Sequence, residues 1–123
     1  MIDAGFNDLM RPAMYGAYHG MTLLDADGQA VDRPRQPTVV AGPLCESGDV
    51  FTQDDQALTP QDLPQAQVGD LLVIHDAGAY GASMSSNYNS RPLLPEFLIE
   101  NGALRMIRRR QTVQDLLSLE AGF

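Results

Sequence analysis

Apolar residues along this chain come in short runs broken by glycine, proline or acidic turns, a spacing that suits many short strands rather than a few long helices. Residues 18–24 read as one strand, closed by the turn signal Asp25-Ala26-Asp27-Gly28. Residues 31–37, with Pro34 and Pro37, read as irregular, and Thr38-Val39-Val40-Ala41 as a short β-branched strand stopped by Gly42-Pro43. After Gly69-Asp70 comes Leu71-Leu72-Val73-Ile74, an unbroken apolar run of strand length. With no polar alternation, this run predicts a central strand covered on both faces and the most buried of the chain.

Further on, Phe97-Leu98-Ile99-Glu100 and residues 103–107 flank Asn101-Gly102, and an Asn-Gly pair between apolar runs predicts a hairpin because both residues accept positive φ. Two helical pieces bracket the strands. Residues 112–119 can start at a Thr112 cap with Asp115 three residues on, and Val113, Leu116 and Leu117 form an apolar stripe. Residues 8–15 can form the other, interrupted by Pro12. The sum is a mainly β domain, a Greek-key-like barrel or sandwich with short peripheral helices.

A length of 123 residues suits a single domain with one core, and no repeat or low-complexity linker divides it. No apolar run approaches the ~20 residues of a membrane-spanning helix. The N-terminus lacks the basic residues and apolar stretch of a signal peptide, so a cytoplasmic location is expected. The single cysteine, Cys45, forms no internal disulfide and agrees with a reducing compartment. A net charge of −8 argues against nucleic acid as a partner. All eight basic residues are arginine. Chemistry that needs a side-chain amine is therefore beyond this chain alone.

Three polar segments carry candidate chemistry. Arg11 and Tyr15 lie one helical turn apart and could grip one anion together, or be a surface arginine beside a half-buried tyrosine. Gly42-Pro43-Leu44-Cys45-Glu46-Ser47-Gly48-Asp49 places a thiol, a nucleophile or proton donor, next to Glu46, which could select a cationic substrate; the alternative is a packed cysteine followed by a turn. Asp76-Ala77-Gly78-Ala79-Tyr80-Gly81 surrounds one phenol with small residues that allow a ligand close approach, or is a glycine loop with a packed tyrosine. His19 and His75 lack cysteine or carboxylate neighbours at ligand spacing, so no metal site is expected. Arg108-Arg109-Arg110 reads as charge guarding an edge strand, or as a solvated run.

Residues 3–15, the Gly42 to Asp49 block, and Asp76-Ala77-Gly78-Ala79-Tyr80-Gly81 with Ser85-Ser86-Asn87-Tyr88-Asn89 resemble, in order and spacing, consecutive blocks of the diaminopimelate decarboxylase family. The resemblance covers essentially the whole chain, but only the C-terminal β-domain of that enzyme. It implies the alanine racemase-like architecture, in which an N-terminal (β/α)8 barrel carries pyridoxal phosphate and a β-domain closes over it. That barrel is absent from residues 1–123, and Met1 stands where the family would continue an upstream strand. The chain would then be a piece of a longer protein, or the product of a split or degraded gene.

The reaction implied is decarboxylation of meso-2,6-diaminopimelate to L-lysine and carbon dioxide, with pyridoxal phosphate as the electron sink. By resemblance, Arg11 and Tyr15 meet the distal end of the substrate, Arg11 on a carboxylate, and Glu46 lies near the distal ammonium. Cys45 reaches across a homodimer interface to protonate the carbanionic intermediate, and Tyr80 approaches substrate, cofactor and phosphate. The Schiff-base lysine, the phosphate loop and the histidine that stacks on the cofactor belong to the missing barrel. The chain is thus expected to recognise substrate and complete a dimer, and to be inactive alone. Two other readings stay open: a protein-interaction module that keeps the β-domain shape, and the matching domain of an arginine or ornithine decarboxylase.

Overall fold

The computed structural model describes residues 1–122. In chain order it contains α1 (Arg11–Tyr15), β1 (Met21–Leu24), β2 (Arg35–Thr38), β3 (Gln61–Pro64), β4 (Leu71–Ile74), α2 (Gly81–Met84), a 3-10 turn (Tyr88–Ser90), β5 (Glu96–Glu100), β6 (Ala103–Arg108) and α3 (Val113–Leu117). The strands form three antiparallel pairs, β1 with β4, β2 with β3 and β5 with β6. The domain is therefore mainly β with a few short helices; no closed barrel forms among the described residues. None of the described helices is long and apolar enough to cross a membrane.

The core is gathered from several elements. Leu9, Val40, Phe51 and Leu63 form its buried centre, with Ile2, Ala4, Met21, Leu72, Ile74 and Ala77 packed around it. In β4 only Leu72 and Ile74 turn inward, whereas Leu71 is 50% exposed and Val73 38%. The expectation of a strand buried on both faces is corrected here. A strand with one hydrogen-bonded neighbour presents alternate residues to the core and to the outside whatever their hydrophobicity. Among the hydrophobic core residues the deepest burial falls to Phe51 and Leu63 instead.

The neighbouring expectations shift in register. The strand placed at residues 38–41 lies at Arg35–Thr38, inside the stretch read as irregular. Pro37 is tolerated because an edge strand can leave one ladder position without an N–H donor. Val40 then turns from β2 to receive a different partner: its amide donates to Thr52 Oγ1 at 2.9 Å, and Phe51 N–H donates to its carbonyl at 2.8 Å. β1 starts at Met21, so Tyr18 lies outside it. β3 had no apolar signal, since Gln61-Asp62-Leu63-Pro64 is half polar and ends in proline. α2 and the 3-10 turn went unforeseen for the same reason.

The hairpin forms as expected, Glu100 opposite Ala103, with Asn101 at φ 51° and Gly102 at φ 77°. α3 carries the expected capping box: Thr112 Oγ1 accepts from Asp115 N–H at 3.3 Å, and Asp115 Oδ2 accepts from Thr112 N–H at 2.7 Å. α1 is shorter than residues 8–15 because Pro12 is accommodated in its first turn and Gly16, at φ 59°, closes its end. The arginine run is more than a solvated stretch. Arg108 lies 2.7 Å from Glu96 across the hairpin, and Arg109 holds Asp115 of α3 with both amino groups, at 2.6 and 2.9 Å.

Candidate functional site

Arg11 opens α1 and Tyr15 closes it, so the helical turn places both on one side. The Arg11 guanidinium carbon lies 5.8 Å from the Tyr15 ring centre and 5.5 Å from that of Tyr80, which arrives from the loop after β4. Such cation–π contacts contribute about 0.5–1 kcal/mol each at exposed sites and, more to the point, orient the planar guanidinium. No carboxylate pairs with Arg11 among the described residues. Its donors stay available to an anion, beside two phenols that are 59% and 62% exposed.

Tyr80 is held there at a cost. Its backbone sits at φ 63°, ψ −4°, a left-handed conformation that costs a non-glycine residue on the order of 1–3 kcal/mol and persists only when neighbours impose it. They do so from both sides. Tyr80 is the N-cap of α2 and its carbonyl accepts from Met84 N–H at 3.0 Å, while the buried Gly81 follows it. Upstream, His75 N–H donates to Gly20 O at 2.8 Å, the His19 ring Nδ1 donates to His75 O at 3.0 Å, and Asp76 turns the chain at φ 56°.

The second cluster lies in the loop from Gly42 to Val50. Cys45 and Glu46 are both exposed. Glu46 Oε1 accepts from Gly48 N–H at 3.1 Å and from Ser47 Oγ at 3.2 Å, and these bonds, the Gly48 amide foremost, hold its carboxyl below the usual carboxylate range. An ionised Glu46 therefore faces solvent at neutral pH. The buried Asp49 closes the loop, its Oδ1 accepting from Phe6 N–H and its Oδ2 from Leu44 N–H, each at 2.7 Å.

The structure thus brings Arg11, Tyr15 and Tyr80 together. No hydrogen bond or ion pair joins Cys45 or Glu46 to them among the described residues. The polar stretch after Tyr80 proves to be bracing. Ser86 N–H donates to Asn7 O at 2.9 Å, the Tyr88 ring centre lies 5.1 Å from that of Phe6, and Arg91 donates to Asp3 O at 2.7 Å. These contacts lock residues 86–91 onto the segment that leads into α1. Sequence reasoning passed over Asn7 and Asp49, whose only signal is a polar side chain inside a motif of small residues.

These residues do not by themselves fit pyridoxal phosphate. An imine needs a lysine, and every basic residue of the chain is arginine. The Tyr80 hydroxyl is a single neutral donor on an exposed loop.

Comparison with known proteins gives this geometry a setting. A family model described as the C-terminal sheet domain of pyridoxal-dependent decarboxylases matches residues 1–78. Diaminopimelate decarboxylase of Escherichia coli strain K12 is 64% identical over 122 residues, 98% of this chain and 29% of that protein. The Streptomyces coelicolor protein of the same name is 60% identical over 121 residues, 98% of this chain and 28% of its own length. A diaminopimelate decarboxylase crystal structure superposes with a TM-score of 0.91 at 65% identity, covering 96% of this chain and 28% of that one. The Helicobacter pylori enzyme, solved in complex with L-lysine, does so with a TM-score of 0.80 at 41% identity, over 96% of this chain and 27% of its own. The chain therefore spans less than a third of the relatives it matches. More than half of its residues fit the family model, and the chain belongs to the pyridoxal-dependent decarboxylases, as a C-terminal sheet domain.

Proposed function

We propose that this chain is the substrate-recognition and dimer-completing domain of a diaminopimelate decarboxylase, and that it is inactive without an N-terminal (β/α)8 barrel that carries pyridoxal phosphate. The observation that carries the reading is the Arg11 guanidinium, oriented against Tyr15 and Tyr80 and lacking a carboxylate partner among the described residues, in a chain with no lysine. The lysine-bound relatives support it, since L-lysine is diaminopimelate less one carbon dioxide. So does the hairpin: Phe97, Ile99, Leu104 and Met106 share one face and are all exposed, an apolar surface suited to burial against further protein. In that setting the three strand pairs would join into the Greek-key-like barrel or sandwich, and two copies would complete each site in a cytoplasmic homodimer.

The roles follow from the chemistry. Diaminopimelate keeps one amino-acid end intact while the other loses its carboxylate. Arg11 receives the retained carboxylate through its paired N–H donors, with the Tyr15 hydroxyl beside it. Glu46, ionised and exposed, receives the retained ammonium. Cys45 Sγ gives a proton to the carbon that has lost carbon dioxide, which balances the reaction as carboxylate out and hydrogen in. Tyr80 serves twice, holding Arg11 by its ring and offering its hydroxyl toward substrate and cofactor phosphate. When bound by the rest of the protein, pyridoxal phosphate supplies the electron sink.

The test is decarboxylation by the full-length protein, with carbon dioxide and lysine measured from meso-diaminopimelate and with arginine and ornithine as competing substrates. Release from diaminopimelate alone supports the reading. Preference for arginine or ornithine would reassign the substrate, and no decarboxylation of any of the three would favour an interaction module.

A further inference from the structure

Asp49 is 3% exposed, yet no arginine pairs with its carboxylate among the described residues. Burying a charge demands compensation, and here it comes from two short backbone amide bonds, Phe6 N–H to Oδ1 and Leu44 N–H to Oδ2, both 2.7 Å. The main chain of the same residue closes the loop from each end. Asp49 N–H donates to Glu46 O at 3.1 Å, and its carbonyl accepts from Gly42 N–H at 2.9 Å. Gly42 is required at that spot because a Cβ there would run into the Asp49 carboxylate.

The two amides belong to the two segments that carry Cys45 and Arg11. Leu44 directly precedes Cys45, and Phe6 lies in the segment that leads into α1 and Arg11. We propose that Asp49 is a positioning residue, whose carboxylate fixes the Cys45–Glu46 loop against the segment carrying Arg11 and so sets the reach of the thiol. The proposal rests on the roles assigned above. An amide in place of the carboxylate offers one acceptor and one N–H₂ group, so one of the two backbone donors would meet another donor.

The experiment uses the full-length protein with Asp49→Asn and Gly42→Ala, the second of which keeps the carboxylate but displaces it. Steady-state kinetics on meso-diaminopimelate are read together with peptide-resolved amide exchange over residues 43–48. Misplacing a reacting group by about an ångström costs on the order of 10²-fold in rate. The expected result is kcat reduced roughly 10- to 100-fold in both variants with a smaller rise in KM from the displaced Glu46, faster exchange in residues 43–48, and a double variant no worse than the poorer single one. Asp25→Asn, at a turn whose carboxylate also accepts two amides, leaves kcat unchanged.

Unaltered kcat with unaltered exchange overturns the proposal, as does a rise in KM as large as the fall in kcat. If Asp49→Asn does not fold, Gly42→Ala carries the same comparison, and collapse of both variants assigns Asp49 to stability and overturns the positioning role. Should the wild-type protein leave diaminopimelate untouched, the functional reading fails by itself. Exchange over residues 43–48 then still decides whether Asp49 holds the loop.

Discussion

The Arg11 guanidinium carbon sits 5.5 Å from the centre of the Tyr80 ring, so the first residue of α1 is oriented by a loop that follows β4. Neither partner is placed by its own segment alone. Tyr80 reaches Arg11 only because its backbone is held in the left-handed region, and among the described residues Arg11 keeps its fork of donors free, its contacts being aromatic rings. On the proposed reading, a site prepared in this way would receive an anion without first breaking an ion pair.

Arg11→Ala in the full-length protein should therefore raise KM for diaminopimelate by roughly 10- to 100-fold, the equivalent of about 1.5–3 kcal/mol for hydrogen bonds to a charged group. Arg11→Lys should recover only part of this, since an ammonium lacks the planar fork. Tyr80→Phe keeps the ring over the guanidinium and should spare Arg11 binding more than Tyr80→Ala does. Steady-state kinetics on the four proteins decide the order.

Cys45→Ala should behave differently, lowering kcat by about 10²–10⁴-fold with little change in KM, because a proton donor acts in the transition state. Cys45→Ser keeps the size but not the acidity, and should stay close to the alanine variant. A KM effect equal to that of Arg11→Ala would remove Cys45 from its assigned role.

Much of the fold was legible, and the reason differs by element. The Asn101-Gly102 hairpin and the Thr112–Asp115 capping box are local: the residues that specify them also form them. β4 misled because four consecutive apolar residues carry no information about how many strands lie beside them, and one neighbour leaves Leu71 and Val73 outside. β2 was displaced because Pro37 reads as a breaker although an edge position tolerates it. In the site, the turn spacing of Arg11 and Tyr15 was readable, but the arrival of Tyr80 depends on long-range bonds at His19 and Gly20. The buried Asp49 was hidden because a loop carboxylate looks solvated in a sequence.

Asp70 links stability to pH. Arg33 grips both its oxygens, at 2.7 and 2.8 Å, and Gln67 N–H adds a third bond at 2.7 Å; together, the Arg33 bonds foremost, they lower its pKa from 3.8 to about 2. A carboxyl whose pKa falls on folding stabilises the fold fully above the unfolded value and loses that contribution as pH drops through the folded one. The Asp70 contribution should thus be complete above pH 3.8 and disappear between there and about pH 2. Chemical denaturation across this window should show a shallower pH dependence for Asp70→Asn, together with lower stability at neutral pH from the unpaired Arg33.

Gly16 ends α1 directly after Tyr15 with φ +59°, and a Cβ there would lie 2.8 Å from Asp55 Oδ1 and 2.9 Å from Asp54 Cα. Gly28 has φ +77° but open space around the same position. Gly28→Ala should cost only the left-handed strain, about 1–2 kcal/mol, and Gly16→Ala should cost more because the backbone at Asp54 must also move. Denaturation midpoints compare the two. Because the clash falls beneath α1, Gly16→Ala should also weaken substrate binding by tilting Tyr15 and Arg11, an effect Gly28→Ala lacks.

Residues 1–123 tested alone, after circular dichroism has shown them folded, should hold no pyridoxal phosphate. Pyridoxal phosphate would find the exposed phenol of Tyr80 and the Arg11 guanidinium beside it, in a chain of charge −8 that repels a phosphate ester. One neutral hydrogen bond contributes on the order of 1 kcal/mol net, whereas even millimolar affinity needs roughly 4 kcal/mol. Arg11 adds a charge-assisted bond of about 1.5–3 kcal/mol, which leaves the pair no tighter than millimolar, and no lysine is present to close an imine. Absorbance titration at micromolar protein should therefore show no saturable imine band, once the α-amine of Met1 is acetylated to remove its weak, nonspecific imine. A saturable band that survives acetylation would place a cofactor site in this chain and overturn the proposed division of labour with an N-terminal barrel.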